Sequence, residues 1–122
     1  AYRALQQRIP FQKAEFRCCD YRDLALPPQS VIYCDIPYEG TKPYMYGGAF
    51  DHSAFWATAR EWTAQGHLVF ISEYQSPKDF ICIAEGKKQG TLAGADRQNT
   101  RTERLFVHSS ALDRVGFLGR NE

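Results

Sequence analysis

Nowhere in this sequence do about 18 apolar residues follow one another, so no segment qualifies as a membrane-spanning helix. The N-terminal stretch also lacks the charged, apolar and small-residue succession of a secretory signal. Together these absences leave the cytoplasm as the expected compartment, with no membrane among the partners. None of the four cysteines stands at Cys-x-x-Cys spacing, which excludes the common zinc and redox motifs. Cys18 and Cys19 would point to opposite faces of a strand, which argues against a local bridge. With Cys34 and Cys82 they read as small buried hydrophobes in a reducing environment. His52, His67 and His108 share no ligand spacing, so no metal is expected. A formal net charge of +1 supplies no global pull toward nucleic acid, and any such affinity must come from local patches. No internal repeat or low-complexity tract is visible.

What is there suits one soluble α/β domain over residues 1–122, a length near the usual size for a single core. Tyr2, Leu5 and Ile9 at helical spacing predict a short amphipathic helix over residues 2–9. Glu15–Cys19 reads as a strand ending at Asp20-Tyr21, and Leu26–Ser30, with consecutive prolines, as a loop. Val31-Ile32-Tyr33-Cys34, β-branched and aromatic, reads as a buried parallel strand. A Gly/Tyr-rich loop from Glu39 to Ala49 follows, carrying Tyr44 and Tyr46, and suits a cover over a site.

The best-signalled element is a helix from about His52 to Gln65. Asp51 is its N-cap, Phe50 and Phe55 stand at hydrophobic-staple spacing, and Gly66 is its stop. Phe55, Ala59 and Trp62 share the face expected to pack on a sheet. His67–Ser72 reads as the next parallel strand, ending in the polar Ser72-Glu73-Tyr74. Phe80–Ala84 and Glu103–His108 read as a C-terminal antiparallel hairpin, joined by a long polar segment from Glu85 to Thr102. The tail from Ser109 to Glu122 shows little pattern and is expected to be loosely held.

Immediately after the strand 31–34 stands Asp35-Ile36-Pro37-Tyr38. A carboxylate, a rigid turn and an aromatic ring therefore meet at the C-terminal edge of a parallel strand, where ligands of open α/β sheets bind. The tetrad resembles the Asp/Asn-x-Pro-Tyr/Phe signature of enzymes that methylate exocyclic amines. Over about residues 11–108 the order of segments is similar to the C-terminal catalytic part of Dam-type DNA adenine-N6 methyltransferases. Phe16-x-x-x-Asp20-Tyr21 resembles the family segment before the tetrad, and Arg101–Phe106 its terminal basic, Glu-Leu-containing strand. Ile36 stands where the Dam-type pattern usually has proline, a change the wider amine-methylase pattern admits.

The resemblance implies part of a class-I, Rossmann-like methyltransferase fold, S-adenosylmethionine as cofactor and double-stranded DNA as partner. Asp35 would accept one hydrogen of the adenine amine and the Ile36 carbonyl the other, holding the nitrogen in a more reactive geometry. Pro37 would stiffen the turn. Tyr38 would stack on a base extruded from the duplex. Such stacking is worth roughly 1–3 kcal/mol, enough to offset part of the unstacking cost. Asp20 and Tyr21, with Asp35, would form the cofactor side of the site. Lys87, Lys88, Arg97, Arg101 and Arg104 are the cations expected to face DNA, with a solvated hairpin loop as the plain alternative.

The family's Phe-x-Gly-x-Gly cofactor loop has no counterpart in this sequence. The chain is therefore expected to be the C-terminal part of a longer enzyme or a truncated relative, inactive alone. A missing N-terminal half or a second copy would then be a partner, and the edge of strand 31–34 would be covered by Glu15–Cys19 or by another subunit. Two rival functions stand beside this one: a non-catalytic DNA-binding or structural remnant of the fold, and methylation of another amine or amide.

Overall fold

A computed structural model describes residues 13–40, 49–88 and 101–118. The expected N-terminal helix, Tyr44, Tyr46 and Arg97 lie outside the described residues. Strand β1, Val31–Asp35, is followed by helix α1, His52–Ala64, and by strand β2, Leu68–Glu73. Strands β3, Phe80–Lys88, and β4, Arg101–His108, complete a mixed sheet of order β1-β2-β4-β3. The short helix α2, Leu112–Leu118, comes last.

β1 and β2 pair in parallel, Val31 opposite Leu68 and Asp35 opposite Ser72. Parallel neighbours need a crossover, and α1 supplies it. The helix begins where the Asp51 carboxylate accepts the Ala54 N–H at 3.0 Å, and ends before Gly66, whose φ of +102° suits glycine. Phe50 and Phe55 meet with ring centroids 5.9 Å apart, as staple spacing predicts. Phe55, Trp56, Ala59 and Trp62 are all buried on one face of α1, against Cys34, Val69, Ile71 and Phe106. This is the main core. His67, buried, fixes the start of the parallel pair: its Nδ1 accepts the Ser30 N–H at 3.0 Å, while Ser30 O accepts the Leu68 N–H.

β4 turns back antiparallel between β2 and β3, with Glu73 opposite Arg104 and Phe80 opposite His108. The hairpin runs further than the sequence indicates, to Lys88 opposite Arg101, past an irregularity between Cys82 and Ala84. Lys87 and Lys88 are thus strand residues and not part of a connecting loop. An antiparallel edge pair keeps its ladder while one face meets water, so charged residues there do not end it.

Four expectations are corrected. The strand at Val31–Cys34 is not buried: it is an edge strand of the sheet, and Val31 and Tyr33 are exposed on the face that α1 does not cover. Glu15–Cys19 forms no strand: its residues are exposed, Phe16 included, and the sheet's β1 edge carries no partner from these residues. Apolar and β-forming residues make a strand only where a strand edge pairs with them, and among the described residues none does. Cys18 and Cys19 are accordingly exposed, Cys82 is exposed on β3, and Cys34 alone is buried, its thiol pushed up to about 12 by burial. The tail does not trail loosely between 109 and 118. A 3-10 turn, Ser109–Ala111, leads into α2 because His108 Nδ1 accepts the Ser110 N–H and the Asp79 carbonyl accepts the Ser109 N–H. Ala111 is buried, and Arg114 donates to the Gly66 carbonyl at 3.0 Å, which ties the helix to the end of α1.

Candidate active site

The alternation of β1 decides which way the tetrad faces. Ile32 and Cys34 point toward α1, so Val31, Tyr33 and Asp35 point the other way. Asp35 is exposed at the last position of β1, and Ile36 returns to the core. Beyond it the chain leaves the sheet but stays held. The Pro37 carbonyl accepts a hydrogen bond from His52 Nε2 at 2.7 Å, and since a carbonyl only accepts, that nitrogen carries the proton. The Tyr38 hydroxyl forms a hydrogen bond with Ser72 Oγ, and burial raises the Tyr38 pKa. The Glu39 N–H donates to both oxygens of the Glu73 carboxylate, at 3.1 and 3.3 Å.

Glu73, at 1% exposure, is the most unusual group in the site. It also accepts the Tyr74 N–H at 2.7 Å, and His52 Nε2 stands 3.5 Å from its Oε2. Desolvation pushes its carboxyl pKa up, against the opposing pull of these backbone donors. A carboxylate removed from water persists only when its lone pairs are satisfied, and this one is. No pattern of residue types in the sequence separates Glu73 from an ordinary strand-end glutamate. The one usable signal is its position directly after an apolar strand run, at the same sheet edge as Asp35.

Asp20 and Tyr21 arrive at this end of the sheet by another route. Asp20 caps a 3-10 turn, Tyr21–Asp23, and its carboxylate accepts from the Arg22 guanidinium and backbone at 2.8–3.0 Å, which lowers its pKa to about 2. Tyr21 turns inward onto Phe50, Phe55 and Trp62. Phe50 in turn lies 4.9 Å from the His52 ring, so contacts run from Tyr21 through Phe50 and His52 to the Pro37 carbonyl. The two segments singled out in the sequence are joined by the N-terminal end of α1.

The basic residues divide. Arg101 holds its guanidinium 5.5 Å from the Tyr74 ring centroid, and Arg104 donates to the Tyr74 carbonyl at 2.7 Å and to Glu85 at 3.3 Å. Both line an open cleft of about 500 Å³ together with Glu39, Glu73 and Tyr74. The structure therefore brings Arg101 and Arg104 to the edge that carries the tetrad. Lys87 stands opposite Thr102 on the hairpin, outside the cleft lining, and Lys88 pairs with Arg101.

Comparison of this chain with protein-family models, with curated proteins and with solved structures finds no match.

Proposed function

We propose that this chain carries the catalytic segment of a DNA adenine-N6 methyltransferase that uses S-adenosylmethionine. The observation that supports this reading most is the exposed Asp35 carboxylate at the C-terminal end of a strand paired in parallel, followed by a loop whose polar groups are held. The amine nitrogen of adenine is a poor nucleophile because its lone pair is delocalised into the ring. Asp35 accepts one amine hydrogen and the Ile36 carbonyl the other, which favours a nitrogen closer to tetrahedral. Tyr38, anchored through its hydroxyl, offers its ring to the extruded base. Arg101 and Arg104, beside Tyr74, are the groups suited to the phosphates that flank that base. The fold that carries Asp35 is a mixed α/β sheet of four strands, partly parallel, and the class-I methyltransferase arrangement is part of this proposal.

The cofactor fits one part of what is present. Asp20 is exposed, and Arg22 keeps its carboxyl ionised, so it remains an acceptor for the amine of the cofactor's adenine. When bound, S-adenosylmethionine supplies an electrophilic methyl group on a sulfonium. The glycine turn that lets backbone approach such a group is missing from the sequence. The second reading is a DNA-binding or structural remnant of the same fold.

Two measurements decide between them. Calorimetric titration of this chain with S-adenosylmethionine is expected to show weak binding or none. Micromolar affinity for the monomeric chain would show that the glycine turn is dispensable here. Transfer of labelled methyl to an adenine-containing duplex, by the complete or reconstituted enzyme, is expected to be lost in Asp35→Ala while DNA affinity stays nearly unchanged. Near-normal turnover in that variant overturns the role given to Asp35, and absence of transfer by the unaltered enzyme leaves the remnant reading.

A further inference from the structure

Three side chains that the tetrad does not include hold the loop behind it. His52, from the first turn of α1, takes the Pro37 carbonyl. Ser72, from β2, takes the Tyr38 hydroxyl. Glu73, the last residue of β2, takes the Glu39 N–H with both carboxylate oxygens. Each of the three consecutive residues after Ile36 is thus held by a side chain from a different position. Ser72 is also the residue directly opposite Asp35 in the parallel register, so the clamp lies beside the acceptor carboxylate.

We infer that Glu73, together with Ser72 and His52, is a positioning device that fixes the Asp35–Tyr38 loop in the geometry needed to receive an exocyclic amine. The inference rests on the reading of Asp35 and the Ile36 carbonyl as the amine's two acceptors. Those acceptors belong to one flexible turn, and their separation is set by the backbone after Asp35. Pro37 fixes one dihedral angle and leaves its own ψ and both angles of Tyr38 free. The hydrogen bonds to Pro37 O and Glu39 N remove that freedom from the two sides of Tyr38. Catalytic groups tolerate only small displacements, so loss of the clamp lowers turnover more than it lowers affinity.

The burial of Glu73 supports a role beyond stability. An apolar residue would cap the end of β2 without desolvating a carboxyl group, and the cost of burying this one is offset only by the bonds it makes. Its Tyr74 bond is local, between adjacent residues, whereas the Glu39 bond spans the sheet edge. Of the two, the Glu39 bond is the one that ties β2 to the tetrad.

The test combines amide hydrogen exchange on this chain with kinetics of the complete or reconstituted enzyme. In Glu73→Ala the Glu39 amide is expected to exchange at least about tenfold faster, and kcat to fall roughly tenfold or more with the KM for DNA nearly unchanged. Glu73→Gln keeps one acceptor oxygen and is expected to recover much of both. Should Glu73→Ala fail to fold, His52→Ala, at a half-buried position, and Ser72→Ala read the other two arms of the clamp by the same measurements. Unchanged exchange at Glu39 in Glu73→Ala and unchanged turnover in the His52 and Ser72 variants overturn the inference. A rise in KM without a fall in kcat overturns it as well, since that is the mark of a binding residue. If the unaltered enzyme transfers no methyl group, the methylase reading fails, and the exchange rates alone decide whether the clamp exists.

Discussion

Tyr38 and Tyr74 meet edge to face, their ring centroids 4.4 Å apart and their planes at 81°. One ring follows β1 and the other follows β2, so the contact joins the two loops at the C-terminal edge of the parallel pair. Tyr74 is also the ring over which Arg101 lies and the residue whose carbonyl Arg104 holds. The surface expected to receive a base and the surface expected to receive phosphate therefore share one side chain.

That sharing has a measurable consequence. Tyr74→Leu keeps apolar bulk but removes the edge-to-face contact, which is worth about 1 kcal/mol. If the whole of it serves the transition state, turnover falls roughly fivefold. Arg101→Ala is expected to weaken DNA binding and to flatten its dependence on salt by about one unit in the slope of log K against log salt. Turnover of Tyr74→Leu and salt titration of DNA affinity for Arg101→Ala check this. An Arg101→Ala enzyme with the unaltered salt slope excludes Arg101 from phosphate contact.

Acid stability depends on a different pair. Arg60 on α1 grips Asp79 with two hydrogen bonds of 2.6 and 3.0 Å, and His108 Nε2 stands 3.2 Å from the same carboxylate. The hydrogen bonds from Arg60 lower the Asp79 pKa to about 2. A carboxyl with a folded value below its unfolded value stabilises the fold above the unfolded value of 3.8. That contribution is lost as pH falls from there through about 2. Glu73 works with the opposite sign, because its raised pKa means its ionised form costs stability and protonation relieves the cost. Thermal denaturation followed from pH 5 to pH 2 is expected to show Asp79→Asn losing less stability on acidification than the unaltered chain. A larger loss in the variant would contradict the assignment. The pair is partly exposed, so the effect is small at high salt.

The outer edge of β1 has no partner among the described residues, and Val31 and Tyr33 are 67% and 63% exposed. An apolar edge with unpaired backbone groups invites strand addition. Because Glu15–Cys19 does not cover it, the remaining expectation is pairing with a second copy or with the rest of the enzyme. Light scattering of this chain is expected to show concentration-dependent association that Val31→Lys combined with Tyr33→Lys abolishes without a large change in Tm. A monomer at all concentrations rules out the second copy.

The local elements were legible because their signals sit within a few residues. Asp51, the Phe50–Phe55 pair and Gly66 bound α1 through caps and a staple that need no distant partner. The run Val31–Cys34 reads as a strand from its residue types, and Asp35 falls at its end by adjacency. Strand 15–19 was misread because a strand is completed by another strand, and its composition carries no information about whether an open edge lies within reach. The tail was misread for a related reason: α2 is anchored by Asp79 and Gly66, residues far away in the chain.

The candidate site divides along the same line. Residue order alone sets a carboxylate, a proline and a tyrosine together after an apolar strand. The burial of Glu73, its reach to Glu39 and the reach of His52 to Pro37 come from the packing of distant segments. Caps and strand ends are contacts within one or two turns of chain. Glu73 and Glu39 are 34 residues apart, and they meet only because the parallel register of β1 and β2 sets both strand ends at one edge.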